Sequence, residues 1–252
     1  MLPNQSKKLN HLMLCLLSLT LIACTTAQEK KDANAADIYL QLGIRYLSMN
    51  KLEIAKENLE RALKNDSDNA QAHNALAVLY ERLNQFPEAK DQYESALKLT
   101  PDDLGVQNNF GRFLCDHGEA QKGMELLDQA ATNPLNEKPW LALTNAGRCQ
   151  LTMGQPQKGK AYFKQALQVN ESYAPALLEM QKISYQNAEY WPAKHYLQKY
   201  LSVADHTPES LWFAIHTERA LGNNELANEY QNLLLEKFPL SNEAKKFGSA
   251  PR

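Results

Sequence analysis

The sequence is short of the features that mark nucleic-acid-binding and low-complexity proteins. Its 252 residues include 27 lysines and arginines and 29 aspartates and glutamates, which gives a formal net charge of −2. Nucleic-acid-binding domains need a basic excess or a basic stripe, so this balance argues against nucleic acid as a partner. The chain has only 10 glycines and 11 prolines, too few for a collagen-like or low-complexity sequence. Residues that favour helices are abundant, which predicts a mostly helical body.

Catalytic and cofactor-binding motifs are also missing from the sequence. It has no glycine-rich phosphate loop, no nucleophile elbow and no Cys-x-x-Cys pair. The six histidines are spread along the chain without the spacing of metal ligands. His117 lies two residues from Cys115, and we interpret this pair as part of a solvated turn. The sequence therefore predicts no enzyme activity, no metal site and no cofactor.

The apolar run at the N-terminus is too short to span a membrane. It extends over residues 12–23 and follows Lys7 and Lys8, whereas a membrane-spanning helix needs roughly 20 apolar residues. A basic start, a short apolar stretch and a small-residue end are typical of a secretory signal peptide, which we place at residues 1–23. A buried N-terminal helix is the alternative, but Ser18 and Thr20 fit no polar face of such a helix.

The end of this run, Leu21-Ile22-Ala23-Cys24, resembles the bacterial lipobox. The resemblance implies that Cys24 becomes the lipidated N-terminus, and several acyl chains hold a protein firmly at a membrane. Thr25 follows the cysteine where an aspartate would imply retention in the inner membrane. The resemblance therefore implies the outer membrane of a Gram-negative bacterium, with the body facing the periplasm. Residues 24–35 carry no large apolar side chain after Cys24 and are predicted to form a flexible tether.

From residue 36 the chain repeats with a period of about 34 residues. Aligned in this way, the twentieth residue is small in every unit: Ala55, Ala89, Gly123, Gly159, Ala193 and Ala227. The seventh is apolar in every unit: Leu42, Leu76, Phe110, Ala146, Met180 and Ala214. We therefore divide the body into six units: 36–69, 70–103, 104–139, 140–173, 174–207 and 208–241. Residues 242–252 are left as a C-terminal cap and tail.

A 34-residue period with these small and apolar positions resembles the tetratricopeptide repeat, a helix-turn-helix unit. The resemblance implies an all-α, right-handed superhelical solenoid of about six repeats, because each unit must stack on its neighbours to bury its apolar face. An irregular bundle with accidental periodicity is the alternative, and the number of coincidences it needs argues against it.

Two of the four cysteines lie in the predicted repeats. Cys115 and Cys149 occupy the first helices of adjacent units, which lie side by side in such a stack. An exported chain enters an oxidising compartment, where a disulfide between them is sterically plausible. Two buried free thiols remain the alternative.

In tetratricopeptide proteins the first helix of each unit lines a concave binding groove. The resemblance transfers this role to the main candidate residues Leu40, Ile44, Leu47, Asn74, Val78, Asn108, Arg112 and Arg148. The same register includes Lys182 and Tyr185 in unit five, and Trp212, His216 and Arg219 in unit six. The aliphatic residues of unit one suggest an apolar pocket for an amphipathic helix, unless the N-terminal tether folds back over them. Arg112 and Arg148 are candidates to meet an acidic partner segment, or are solubilising charges.

Several segments resemble the lipoprotein pilotins of type IV pilus biogenesis more specifically than the repeat alone. They include NNFGRFLC at residues 108–115, NAGRC at 145–149, YFKQALQVNESYAPALLEM at 162–180 and YWPAK at 190–194. The resemblance implies a non-enzymatic protein that binds the pilus secretin subunit, is held by acylated Cys24 in outer-membrane lipid, and promotes secretin assembly. Two alternatives stay open, namely a general cell-envelope adaptor for outer-membrane protein assembly or peptidoglycan enzymes, and an enzyme or enzyme activator.

Overall fold

The computed structural model describes residues 34–248, which form helices joined by short loops. The helices are α1 (34–48), α2 (Leu52–Asn65), α3 (Ala70–Arg82), α4 (Phe86–Leu99), α5 (Leu104–Asp116), α6 (Ala120–Thr132), α7 (Pro139–Thr152), α8 (Pro156–Val169), α9 (Ala174–Gln186), α10 (Tyr190–Leu201), α11 (Pro208–Ala220), α12 (Asn224–Lys237) and α13 (Asn242–Gly248). The helices α1 to α12 form six successive pairs, as expected for an all-α repeat protein. Residues 34 and 35 belong to α1 rather than to the predicted tether.

The described chain consists of two compact parts, called unit 1 and unit 2, each of which contains several of the repeats defined from the sequence. Unit 1 comprises residues 34–106 and contains the first two helix pairs. Unit 2 comprises residues 107–248 and contains α5 from residue 107 onward, the helices α6 to α12, and α13. Throughout both units the loop within a pair has three residues, and the loop between pairs has four or six. The longer loops are residues 133–138 and 202–207, both in unit 2.

Small residues let the two helices of a pair approach closely, and large apolar residues fill the space beside them. A Cβ atom on Gly43 would lie 2.6 Å from the Leu59 side chain, and one on Gly147 would lie 2.5 Å from the Phe163 ring. Leu59 and Phe163 are fully buried. The same arrangement recurs at Gly111, which faces Leu127. The apolar residue four places after the small twentieth position therefore packs directly against the backbone of the first helix.

The last two pairs depart from this pattern because larger side chains replace the glycine. Gln181 on α9 and Ile215 on α11 stand at that position, and both are fully buried. The amide of Gln181 donates a hydrogen bond to the backbone carbonyl of Ser210, at 3.2 Å. This bond connects α9 to the start of α11, where Thr207 and Ser210 form a capping box. The packing of the last two pairs is thus partly polar.

Each loop within a pair contains one residue with a left-handed backbone conformation. These residues are Asn50, Asn84, Gly118, Gly154, Ala188 and Gly222, with φ between 56° and 90°. Glycine adopts this conformation without steric cost, and asparagine tolerates it. Ala188 is the least suited of the six, because its Cβ crowds the following carbonyl when φ is 57°.

We expect the substitution Ala188→Gly to stabilise the protein by about 1 kcal/mol, because it relieves this crowding. Urea unfolding monitored by circular dichroism measures the change. The matched control is Ala161→Gly, at an exposed position inside α8, where the same change should destabilise by about 1 kcal/mol. Destabilisation by both substitutions would contradict the strain assigned to Ala188.

Candidate functional site

The first helices of the pairs carry the predicted binding residues, and the structure separates those of α1 into core and surface. Leu40 and Leu47 are each only 6% exposed and belong to the hydrophobic core of unit 1, together with Leu76 and other residues of α3. Ile44 is 42% exposed. The prediction that all three line an apolar pocket is therefore wrong for Leu40 and Leu47, which pack in the core with residues of α2 and α3.

The neighbouring helix α3 adds half-buried side chains to the surface of unit 1. Asn74 and Val78 are both half-buried, and Val78 packs against the core cluster. The Arg82 guanidinium donates a hydrogen bond to the backbone carbonyl of Leu47, at 2.6 Å. We call Ile44, Asn74 and Val78 the α1–α3 surface. It combines the exposed aliphatic side chain of Ile44 on α1 with the half-buried side chains of Asn74 and Val78 on α3.

In unit 2 the first helices are connected by side-chain contacts, beginning with amides. The Asn145 amide on α7 donates a hydrogen bond to the Asn108 amide oxygen on α5, at 2.9 Å. Arg112 forms an ion pair with Asp116, one turn along the same helix, at 3.2 Å. The first of the two predicted groove arginines therefore has an acidic partner within its own helix.

A ladder of charges continues from α7 through α9 to α11. Arg148 pairs with Glu179 at 2.9 Å, and the other oxygen of Glu179 lies 3.2 Å from Lys182 Nζ. Lys182 also pairs with Glu209 on α11, at 2.8 Å. Only 7% of the Glu179 side chain is exposed, and a buried carboxylate persists only where cations and hydrogen bonds compensate its lost hydration. The two cations and two carboxylates of this ladder compensate one another.

Lys182 is held in its charged form by the ladder. Burial by itself lowers the pKa of its ammonium group, but the hydrogen bonds and charges of Glu209 and Glu179 outweigh this effect. The pKa of Lys182 is consequently raised above its ordinary value. The ladder connects α7, α9 and α11, which are the first helices of three successive pairs.

Aromatic rings and two cations lie on and beside α11, which is the first helix of the sixth pair. The His216 ring on α11 lies 4.2 Å from Trp212 and 6.1 Å from Tyr185, measured between centroids. The Phe247 ring on α13 lies 5.4 Å from Trp212. We call this surface the aromatic end; its members are Tyr185, Trp212, His216, Arg219, Lys246 and Phe247. The repeat register identified four of them, but not Lys246 and Phe247, because α13 lies beyond the last repeat.

The cations of the aromatic end lie over the rings. Lys246 Nζ is 4.4 Å from the Trp212 centroid, and the Arg219 guanidinium is 5.6 Å from that of Phe247. The pKa of His216 is lowered, first by burial and then by the positive charges of Arg219 and Lys246. His216 is therefore neutral at pH 7, and the charge of this surface comes from the arginine and the lysine.

Cys115 and Cys149 form a disulfide that joins α5 to α7. Their Cα atoms are 5.3 Å apart, and the bonded sulfur atoms are separated by 1.99 Å. Both residues are buried, in a cluster with Met124, Leu127 and Ala146. The bond therefore connects the first helices of two successive pairs through the core of unit 2.

The predicted anchor cannot be located in the structure. The signal peptide at residues 1–23 and the lipidation site Cys24 lie outside the described residues. Among residues 34–248, no helix has the length and apolar character required to cross a bilayer. The same part of the chain contains no group of three or more histidine, cysteine, aspartate or glutamate side chains placed to hold a metal ion.

Comparison with known proteins finds similarity to tetratricopeptide repeats and to two proteins of type IV pilus assembly. Tetratricopeptide repeat models match residues 40–104 and 142–173. The type IV pilus assembly protein PilF of Pseudomonas aeruginosa is 29% identical over 239 residues, which cover 92% of this chain and 95% of that protein. A solved structure of P. aeruginosa PilF has a TM-score of 0.75 and covers 87% of this chain and 99% of its own. The structure of PilW, a type IV pilus biogenesis factor, also has a TM-score of 0.75 at 29% identity, over 85% of this chain and 98% of its own.

Proposed function

We propose a role in type IV pilus assembly for this chain, which is a tetratricopeptide-repeat protein homologous over most of its length to the pilus assembly proteins PilF and PilW. The observation that carries the proposal is the extent of the similarity, which covers nearly the whole of both relatives rather than a few shared repeats. A similarity confined to the repeat would support the fold alone.

In the proposed mechanism the chain binds a partner and performs no catalysis. Acylated Cys24 holds it at the inner surface of the outer membrane, and the helical body binds the pilus secretin subunit while the secretin assembles. The α1–α3 surface is the proposed contact, because Ile44 provides an exposed aliphatic side chain on a first helix. An amphipathic segment of the secretin would bury Ile44 and pack beside Val78.

We expect the substitution Ile44→Glu to abolish or strongly reduce surface pili and outer-membrane secretin multimers, because a charge replaces the apolar contact. Immunoblots of unheated membrane fractions measure the multimers, and electron microscopy measures the pili. The matched control is Ile54→Glu on α2, since Ile54 is 43% exposed and Ile44 is 42% exposed. Equal effects of both variants, at equal protein levels, would contradict the proposed contact.

A gene deletion in the source bacterium tests the wider proposal with the same measurements. Complementation with the wild-type gene should restore pili and secretin multimers, and complementation with Cys24→Ala should leave the multimers outside the outer-membrane fraction. Normal multimers and pili in the deletion strain would overturn the assigned role. A normal outcome with Cys24→Ala alone would overturn only the anchor.

A further inference from the structure

We propose that the aromatic end of unit 2 binds an acidic peptide segment of a partner protein, whose carboxylates lie against Arg219 and Lys246 and whose apolar side chain packs on Trp212. This surface is separate from Ile44 and does not depend on the proposed pilus role. Its residues come from α9, α11 and α13, and none of them is part of the charge ladder or of the disulfide.

The aromatic end carries two cations, Arg219 on α11 and Lys246 on α13. The ladder that precedes it on α7, α9 and α11 is internally compensated, because Glu179 and Glu209 balance Arg148 and Lys182. Arg219, in contrast, forms its side-chain hydrogen bond with the neutral amide oxygen of Gln231 and has no carboxylate partner among the described residues. A carboxylate of a bound peptide would supply the missing counter-charge in a bidentate geometry that guanidinium groups favour.

The rings beside the cations provide the apolar part of the site. Trp212 and Phe247 are half-buried, so each keeps part of its surface exposed to solvent. The exposed side chains of Arg219 and Lys246 lie over these rings. A carboxylate bound to either cation would therefore place its neighbouring residue next to an aromatic surface. Tryptophan and arginine are enriched among the hot-spot residues that supply most of the binding energy in protein interfaces.

The small number of cations favours a peptide over a membrane surface. Polybasic segments that bind anionic lipids carry about four to eight lysines and arginines. The aromatic end has two cations placed over rings between α11 and α13. This arrangement suits one or two carboxylates with an apolar neighbour, and lacks the charge density required to hold a lipid surface.

Calorimetric titration of the purified full chain tests the proposal. The probe is the synthetic peptide acetyl-DEFDLE-amide, and its neutral counterpart is acetyl-NQFNLQ-amide. In about 50 mM salt we expect the acidic peptide to bind at least about tenfold more tightly, and this preference should decrease at about 500 mM salt. Trp212 fluorescence should change on binding. Absence of binding up to about 1 mM, or equal affinity for the two peptides, would overturn the proposal.

Variants locate the binding. The double substitution Arg219→Gln and Lys246→Gln should reduce affinity for the acidic peptide about tenfold, and Trp212→Ala should reduce affinity for it by a similar factor. The matched control is Lys245→Gln, which removes the same charge from the adjacent position of α13 and should leave the affinity unchanged. Circular dichroism melting of each variant verifies that α13 and the repeats remain folded.

Two further outcomes would count against the site. An equal loss with Lys245→Gln would show unspecific charge attraction. Binding to phosphatidylglycerol vesicles that is lost with Arg219→Gln and Lys246→Gln, without binding of the acidic peptide, would assign the surface to lipid instead. Neither result bears on the pilus assay, because that assay uses Ile44→Glu and Ile54→Glu in cells.

Discussion

Replacement of both Cys115 and Cys149 by alanine should lower the free energy of unfolding by about 4 kcal/mol. The bond closes a segment with a sequence separation of 34, and the chain-entropy relation gives about 4 kcal/mol for a loop of this length. Removal of two buried sulfur atoms from a cluster with Met124 and Leu127 adds a smaller packing loss. Urea unfolding of the oxidised protein and of the double variant measures the difference.

The wild-type protein unfolded in the presence of a strong reductant provides the control for the packing term. Reduction breaks the bond but keeps both sulfur atoms, so the reduced wild type should lie between the oxidised protein and the double variant. A mass-spectrometric count of free thiols before unfolding establishes the starting state. Identical midpoints with and without reductant, at proven oxidation, would contradict the expected contribution.

Substitutions at the contact between Gly147 and Phe163 should have the second large effect on the free energy of unfolding. Phe163 is fully buried, and a Cβ on residue 147 would lie 2.5 Å from its ring. Phe163→Ala should therefore destabilise the protein by about 3–5 kcal/mol through the cavity it creates. Phe163→Leu should cost less than about 1.5 kcal/mol, since leucine occupies the same repeat position at Leu59 and Leu127.

The sign of the effect of Gly147→Ala should depend on the residue at 163. In the wild-type protein the new methyl group meets the fully buried Phe163 ring, and the substitution should destabilise by about 1–3 kcal/mol. In the Phe163→Ala background the same methyl group enters the cavity and should stabilise the protein. A double-mutant cycle on urea midpoints measures the coupling. Additive effects would show that the two residues do not share this contact.

The repeat made most of the fold predictable, because it fixes which side chains meet. Gly43, Gly111 and Gly147 recur at one position, and each faces the large residue that recurs sixteen places later in the chain. This regularity arises because each repeat packs its two helices in the same way, so the same residue types recur with the period of the sequence. Ala188 departs from it, because nothing in its residue type indicates a left-handed backbone.

The candidate sites are less predictable than the fold. The repeat register assigns a residue to the groove side of its helix, but it does not specify how deeply the side chain is buried. Leu40 and Ile44 both occupy groove positions, yet Leu40 is in the core and Ile44 is exposed. Leu40 packs in a core cluster with residues of α2 and α3, to which Ile44 does not belong, and a shared register cannot specify this difference. The register makes Arg148 a candidate for an acidic partner or a solubilising charge, and the structure adds that Glu179 on α9 pairs with it while 43% of its side chain stays exposed. Lys246 and Phe247 follow the last repeat, so the repeat register does not identify them.

The loop lengths of the fold have a practical consequence for labelling the protein. Every loop within a pair has three residues and one left-handed position, so an insertion there would change the geometry between two packed helices. Loops between pairs already vary from four to six residues. The segment 133–138 carries Leu135, which is 81% exposed. An affinity tag or fluorophore inserted beside Leu135 would report on the protein in cells while leaving the six helix pairs intact.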